Sequence, residues 1–116
     1  MPTNAKNDLL ILWTNADRVT ATNMVFMYAG NSLANHWWGN VTLLIWGAPA
    51  KLVAENTEIA GEISRLKKAG VRIVACRQCA LNLGVVDRLE ALGAEVFFTG
   101  EFLTDWIKAD GRILTV

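Results

Sequence analysis

The 116-residue chain has no excess of either charge: 11 basic and 11 acidic residues give a formal net charge of +0. Nucleic acids and anionic membrane surfaces are bound through a positive field, and the chain has no basic cluster beyond Lys67 and Lys68. Its longest strictly apolar stretches, such as residues 9–13, are far shorter than the ~18 residues of a membrane-spanning helix. We therefore expect neither nucleic acid nor a membrane as a partner.

The residues that build familiar cofactor sites are scarce. The chain has one histidine, His36, and two cysteines, Cys76 and Cys79, whereas a zinc site needs about four ligands. It contains no Gly-x-Gly-x-x-Gly, no Walker phosphate loop and no serine nucleophile elbow, which are the usual signatures of nucleotide binding and of serine hydrolases. The sequence predicts no metal and no cofactor.

The two cysteines bear on the compartment. Residues 1–8 lack the apolar core of a signal peptide, so we expect a cytoplasmic location. In a reducing compartment, two cysteines are thiols more often than a structural disulfide. The sequence therefore favours free thiols.

Apolar residues, in contrast, are abundant. They make up 53% of the chain, which includes five tryptophans, and the mean hydropathy is +0.27. A chain of this length forms one domain, here residues 1–116, and its excess apolar surface is most simply covered by subunit contacts. Tryptophan is also enriched in interfaces. The composition predicts a homo-oligomer.

Five apolar runs predict the strands of a sheet. They do not alternate between apolar and polar residues, which is typical of parallel strands buried on both faces. The runs are residues 9–13, 41–46, 71–76, 94–98 and 112–116.

The segments between the runs have helical spacing, and Pro49 fits the first turn of a short helix over residues 50–54. Strands that alternate with helices predict an α/β fold, a three-layer α/β/α sandwich with a mostly parallel five-stranded sheet and right-handed crossovers. The apolar positions assigned to shared helix faces are Val19, Met24, Met27 and Tyr28, then Ile59, Ile63 and Leu66, then Val85, Leu89 and Leu92, and finally Phe102, Leu103, Trp106 and Ile107.

Ligands of open α/β sheets bind at the edge formed by the carboxyl ends of the strands, which we call the carboxyl rim. We expect Asn15 and the Gly47–Ala48 turn to shape a pocket there, next to the segment from Cys76 to Cys79. Three further polar residues follow strand ends, and ordinary helix capping is the favoured interpretation of each. These are Asp17, Thr99 and Glu101.

Cys76 is the strongest candidate for chemistry. It ends the third strand and precedes a segment that can open a helix, beside Arg77, so free N–H groups and the helix dipole favour a thiolate. The alternative is a buried, inert cysteine, since free cysteine is among the most buried residues. We weigh these two interpretations about equally.

Two residues could act together with Cys76: His36 as a base and Cys79 as a redox partner. His36 precedes the second strand, so it lies at the opposite rim and could meet Cys76 only between subunits. A thioredoxin-like pair with Cys79 lacks its later proline, since the only prolines are Pro2 and Pro49. The favoured interpretation is one working thiol, Cys76, with Cys79 as an auxiliary or incidental neighbour.

The chain resembles the DsrE/DsrF-like family, small α/β proteins that assemble as trimers, hexamers or related oligomers. The resemblance rests on residues 9–13 with the long first helix, on residues 43–48, and on Cys76 followed by a helix at residues 84–87. In sulfur-relay members the equivalent cysteine carries a persulfide and passes sulfur to a partner protein. The resemblance implies this role for Cys76.

The function expected from the sequence is therefore sulfane-sulfur transfer. Cys76 would be the nucleophile and carrier, and Cys79 could resolve the persulfide or form a reversible disulfide. The alternative is a non-enzymatic oligomer that binds a small ligand in an apolar pocket at a subunit boundary.

Overall fold

The computed structural model describes residues 5–116 and contains a five-stranded sheet in which every strand is parallel to its neighbours. Residues 1–4, part of the N-terminal segment considered above for a signal peptide, lie outside the described residues. The predicted α/β fold and its five strands are confirmed, and the sheet is wholly parallel. The strands are β1 (Asp8–Trp13), β2 (Asn40–Ile45), β3 (Arg72–Cys76), β4 (Glu95–Phe97) and β5 (Arg112–Thr115).

Helices occupy the predicted positions between the strands. Asn56 begins one of them as its N-cap, because its side-chain oxygen accepts a hydrogen bond from the N–H of Ile59. The helices are α1 (residues 18–34), α2 (Ala48–Glu55), α3 (Thr57–Lys68), α4 (Arg77–Leu83), α5 (Val86–Ala91) and α6 (Gly100–Lys108), and a 3₁₀ turn, Ala5–Asn7, precedes β1.

The strand order β4-β3-β2-β1-β5 separates the helices into two layers. The chain moves in one direction from β1 to β4, and α6 then carries it back to the far edge, where β5 pairs with β1. Because crossovers are right-handed, α6 covers the opposite face from the other helices. That face, which we call the α6 face, buries Leu10, Leu44 and Val74. The result is a three-layer sandwich.

The first helix corrects one prediction. A π-helical segment, Ala21–Phe26, interrupts α1 between Arg18–Thr20 and Met27–Ala34. A π turn shifts the face that later residues present, so the proposed face through Val19 and Met27 is wrong. These two side chains are 69% and 52% exposed. The residues of α1 that reach the core are Ala21, Val25, Phe26, Ala29 and Ser32.

One helix alone leaves the α6 face partly open. The predicted apolar face of α6 is correct for Phe102, Leu103 and Trp106, which pack on the sheet, but Ile107 is 54% exposed. On β5, Ile113 pairs with Leu10 and therefore lies on this face, where it is 38% exposed. In the part of the chain that the structure describes, no helix has the length and apolarity to cross a membrane.

Candidate functional site

Cys76 lies at the carboxyl rim, as predicted. It is the last residue of β3 and the N-cap of α4. Side chains alternate along a strand, so Cys76 points to the α6 face, like Val74 two residues earlier. It is paired with Phe97 of the neighbouring strand β4 and is only 5% exposed.

The surroundings of Cys76 favour its thiolate. Burial raises the pKa of the Cys76 thiol, but four groups together lower it below its ordinary value: the Cys79 N–H, the Cys79 thiol, the Thr99 hydroxyl and the Gln78 N–H. The sulfur makes no regular capping hydrogen bond, so the amides act as nearby dipoles rather than as short capping donors. The burial of Cys76 fits the inert interpretation, and the donors around its sulfur fit the reactive one.

Thr99 differs from its predicted role. It occupies the N-cap position of α6, but its side chain does not cap the helix. The hydroxyl is buried, with the residue 1% exposed, and has no regular hydrogen-bond partner. It lies close enough to Cys76 to lower the pKa of that thiol. A buried hydroxyl without a partner is costly, and here it is a donor available to sulfur.

Cys79 sits in the first turn of α4 and is half-buried. Burial raises the pKa of its thiol, as do the Cys76 thiol and the Cys76 charge, while the N–H of Gly47 opposes them. Gly47 has φ +82° and ψ −132°, a conformation that essentially only glycine adopts. The two thiols are therefore neighbours of unlike acidity, and Gly47 contacts the less acidic one.

The remaining predicted site residues take different positions. Asn15 accepts a hydrogen bond from the N–H of Asp17, which itself caps α1 as predicted. Asn15 thus shapes the turn after β1. Arg77 is half-buried and belongs to neither of the ion pairs among residues 5–116, which join Arg65 to Glu62 and Arg72 to Glu95.

Ala48 lines a groove of about 480 Å³ at the carboxyl rim. The groove lies between α2 and the end of α4, where Leu52 and Leu83 contribute apolar walls, and Ala16 closes it from the turn after β1. Ala48 thus lies at the same rim as Cys79. The other residues predicted to bind a ligand, Asn15, Gly47 and Arg77, are not among the lining residues of this groove.

His36 lies at the other end of the sheet, as predicted. It follows α1 and precedes β2, whose first residue, Asn40, pairs with the first residue of β1. Cys76 therefore has no histidine base at the carboxyl rim of its own chain. Among residues 5–116, no three His, Cys, Asp or Glu side chains are grouped so that they could hold a metal ion.

The comparisons with known proteins include a match over the whole chain. A solved structure of a conserved protein of unknown function from Bacteroides thetaiotaomicron has 37% sequence identity to this chain, and the two superpose with a TM-score of 0.96. The match covers 100% of both chains. No protein-family model and no curated protein matches the chain.

Proposed function

This chain belongs to the same protein family as the conserved Bacteroides thetaiotaomicron protein, and from the geometry of its thiol site we propose that it carries sulfane sulfur as a persulfide on Cys76. The observation that carries the proposal is the group of hydrogen-bond donors close to the Cys76 sulfur. Two backbone amides and the buried Thr99 hydroxyl lower the pKa of Cys76 despite its burial. The likeness of this cysteine segment to the DsrE/DsrF-like family points the same way.

The proposed transfer has two steps. The Cys76 thiolate attacks the outer sulfur of a donor persulfide. A new S–S bond forms as the donor's own S–S bond breaks, and the donor leaves as a thiol with the proton that its persulfide carried. An acceptor thiolate then attacks that outer sulfur and Cys76 leaves as a thiolate. The donors around Cys76 stabilise the same anion as nucleophile and as leaving group, so the carrier needs no separate base. The donor and the acceptor would be other thiol-bearing molecules, including partner proteins.

Mass spectrometry tests the carrier directly. After incubation with a low-molecular-weight thiol persulfide and rapid removal of the donor, the Cys79→Ser variant is expected to hold one added sulfur atom on Cys76. The Cys76→Ser variant is the matched control and is expected to hold none. Equal sulfur uptake by both variants, or uptake by neither, would refute the proposal.

We also propose that the chain is a homo-oligomer, a trimer or hexamer, assembled through its α6 face in the cytoplasm. The support is the partly open apolar surface around Ile107 and Ile113, on the same side of the sheet as α6. Both cysteines are free thiols, in keeping with a reducing compartment.

Sedimentation equilibrium at micromolar concentration is expected to give a multiple of the 12.7 kDa chain mass. Ile107→Glu places a charge on the proposed interface and is expected to shift the mass towards the monomer. Val19→Glu, at an aliphatic side chain that is also exposed but lies on α1, is the control and is expected to leave the mass unchanged. If the wild type sediments as a monomer, the proposed oligomer is wrong.

A binding protein remains the second candidate, because the rim groove of about 480 Å³ could hold a small ligand next to α2 and α4. A chain that takes up no sulfur on Cys76 would favour this candidate over the carrier.

A further inference from the structure

We propose that Cys79 is the resolving thiol of the site: once Cys76 holds a sulfane sulfur, Cys79 attacks the Cys76 sulfur, releases the carried atom as sulfide and leaves a Cys76–Cys79 disulfide. The inference rests on the proposed persulfide of Cys76. It adds a second fate for that persulfide, in which no acceptor protein takes part.

The backbone brings the two side chains together. Cys76 is the N-cap of α4 and Cys79 is the third residue of the helix, and residues three apart on a helix are neighbours. An N-cap side chain commonly turns back towards the third helical residue. Here the N–H and the thiol of Cys79 both act on the Cys76 sulfur. The approach needed for a disulfide therefore lies within a single helical turn.

The attack by Cys79 becomes possible once Cys76 is loaded with sulfur. Before loading, the Cys76 thiolate helps to raise the pKa of Cys79, so Cys79 stays protonated. Loading turns the Cys76 sulfur into a divalent atom of the persulfide and moves its negative charge to the outer sulfur. The Cys76 sulfur is then an electrophile within one helical turn of Cys79, whose thiolate the Gly47 N–H favours and burial opposes. Loading therefore turns Cys76 from a neighbouring anion into the atom that Cys79 attacks.

The step balances without an external oxidant. The Cys79–Cys76 S–S bond forms as the bond between Cys76 and the outer sulfur breaks. The outer sulfur is reduced to sulfide, the two cysteine sulfurs are oxidised together to the disulfide, and the Cys79 proton leaves with the sulfide. The unpartnered Thr99 hydroxyl, close to Cys76, is placed to donate to the departing sulfur. A dithiol reductant returns the pair to two thiols, as in ordinary exchange.

The test follows the carried sulfur after the donor has been removed by rapid desalting. Wild type and Cys79→Ser are loaded with the same low-molecular-weight thiol persulfide, and released sulfide and intact mass are measured over time. Wild type is expected to release one equivalent of sulfide per loaded chain and to end as an intrachain disulfide that dithiothreitol reduces. Cys79→Ser is expected to keep its sulfur and to release none over the same period. Cys79→Ala, which removes the hydroxyl that serine retains, is expected to behave like Cys79→Ser.

Two other results would overturn the inference, and they differ in what else they overturn. If wild type keeps its persulfide as long as Cys79→Ser does and forms no disulfide, Cys79 is not a resolving thiol, while the carrier function stands. If neither protein takes up sulfur, the carrier function fails and the resolving step fails with it.

Discussion

Iodoacetamide is expected to alkylate Cys76 at a pH where an ordinary thiol is still protonated. Only the thiolate reacts, and a free cysteine has a pKa near ~8.5. Since the amides of Gln78 and Cys79 and the Thr99 hydroxyl lower the pKa of Cys76 against the effect of burial, its thiolate persists to lower pH. The Cys79→Ser variant isolates this reaction and keeps a hydroxyl donor beside the sulfur.

The midpoint of the pH–rate curve is the quantity to compare, because the 5% exposure of Cys76 slows its absolute rate at every pH. The Cys76→Ser variant reports on Cys79, whose pKa burial continues to raise. We expect its midpoint to lie above that of an ordinary thiol. A Cys76 midpoint at or above that of Cys79 would contradict the proposed division of roles.

Thr99 provides the sharpest control for this experiment. Thr99→Val removes the hydroxyl at nearly constant volume, so we expect the alkylation midpoint of Cys76 to rise and its rate at neutral pH to fall several-fold. Thr99→Ser keeps the hydroxyl and is expected to stay near the wild type. Because the hydroxyl has no regular hydrogen bond to lose, Thr99→Val is expected to change the free energy of unfolding by less than about 1 kcal/mol.

The sheet could be predicted from the sequence because the strands are buried on both faces. Ile11, Leu43 and Ile73 face the larger core, while Leu10 and Leu44 face α6, and all five are buried. A continuous apolar run follows directly from that double burial. Strand ends, and with them the position of Cys76 at the carboxyl rim, follow from where each run stops.

Helix α1 could not be predicted to the same accuracy. Its apolar positions were assigned to one face on a period of 3.6 residues, but the π-helical segment Ala21–Phe26 breaks that period. Val19 and Met27 are consequently exposed, whereas Phe26 packs edge-on against Trp13 at the end of β1. Nothing in the local spacing distinguishes a π turn from an α turn.

The surroundings of Cys76 depend on strand order, which the sequence does not contain. Thr99 reaches Cys76 because β4 lies next to β3, and Gly47 reaches Cys79 because β2 lies on the other side of β3. A threonine before a helix is most simply interpreted as a cap, so its free hydroxyl could not be anticipated. Only the residues adjacent to Cys76 along the chain could be proposed in advance.

Replacing Leu44 by alanine is expected to lower the free energy of unfolding by about 2–5 kcal/mol. Leu44 is completely buried at the centre of the α6 face, between Leu12 of β1 and Val74 of β3. Only α6 covers that face, so the structure has no second layer of side chains there to fill the cavity. Urea unfolding followed by circular dichroism measures the loss as a lower midpoint.

Leu81→Ala is the matched control, since it deletes the same atoms from a side chain that is 48% exposed on α4. We expect it to change the free energy of unfolding by no more than about 0.5 kcal/mol. Equal losses in the two variants would mean that the α6 face is not a core in its own right. The two variants also test the thiol site, because α6 begins beside Thr99. In Leu44→Ala, a loosened α6 is expected to move the Thr99 hydroxyl away from Cys76 and so to raise the alkylation midpoint of Cys76. In Leu81→Ala, we expect that midpoint to stay unchanged.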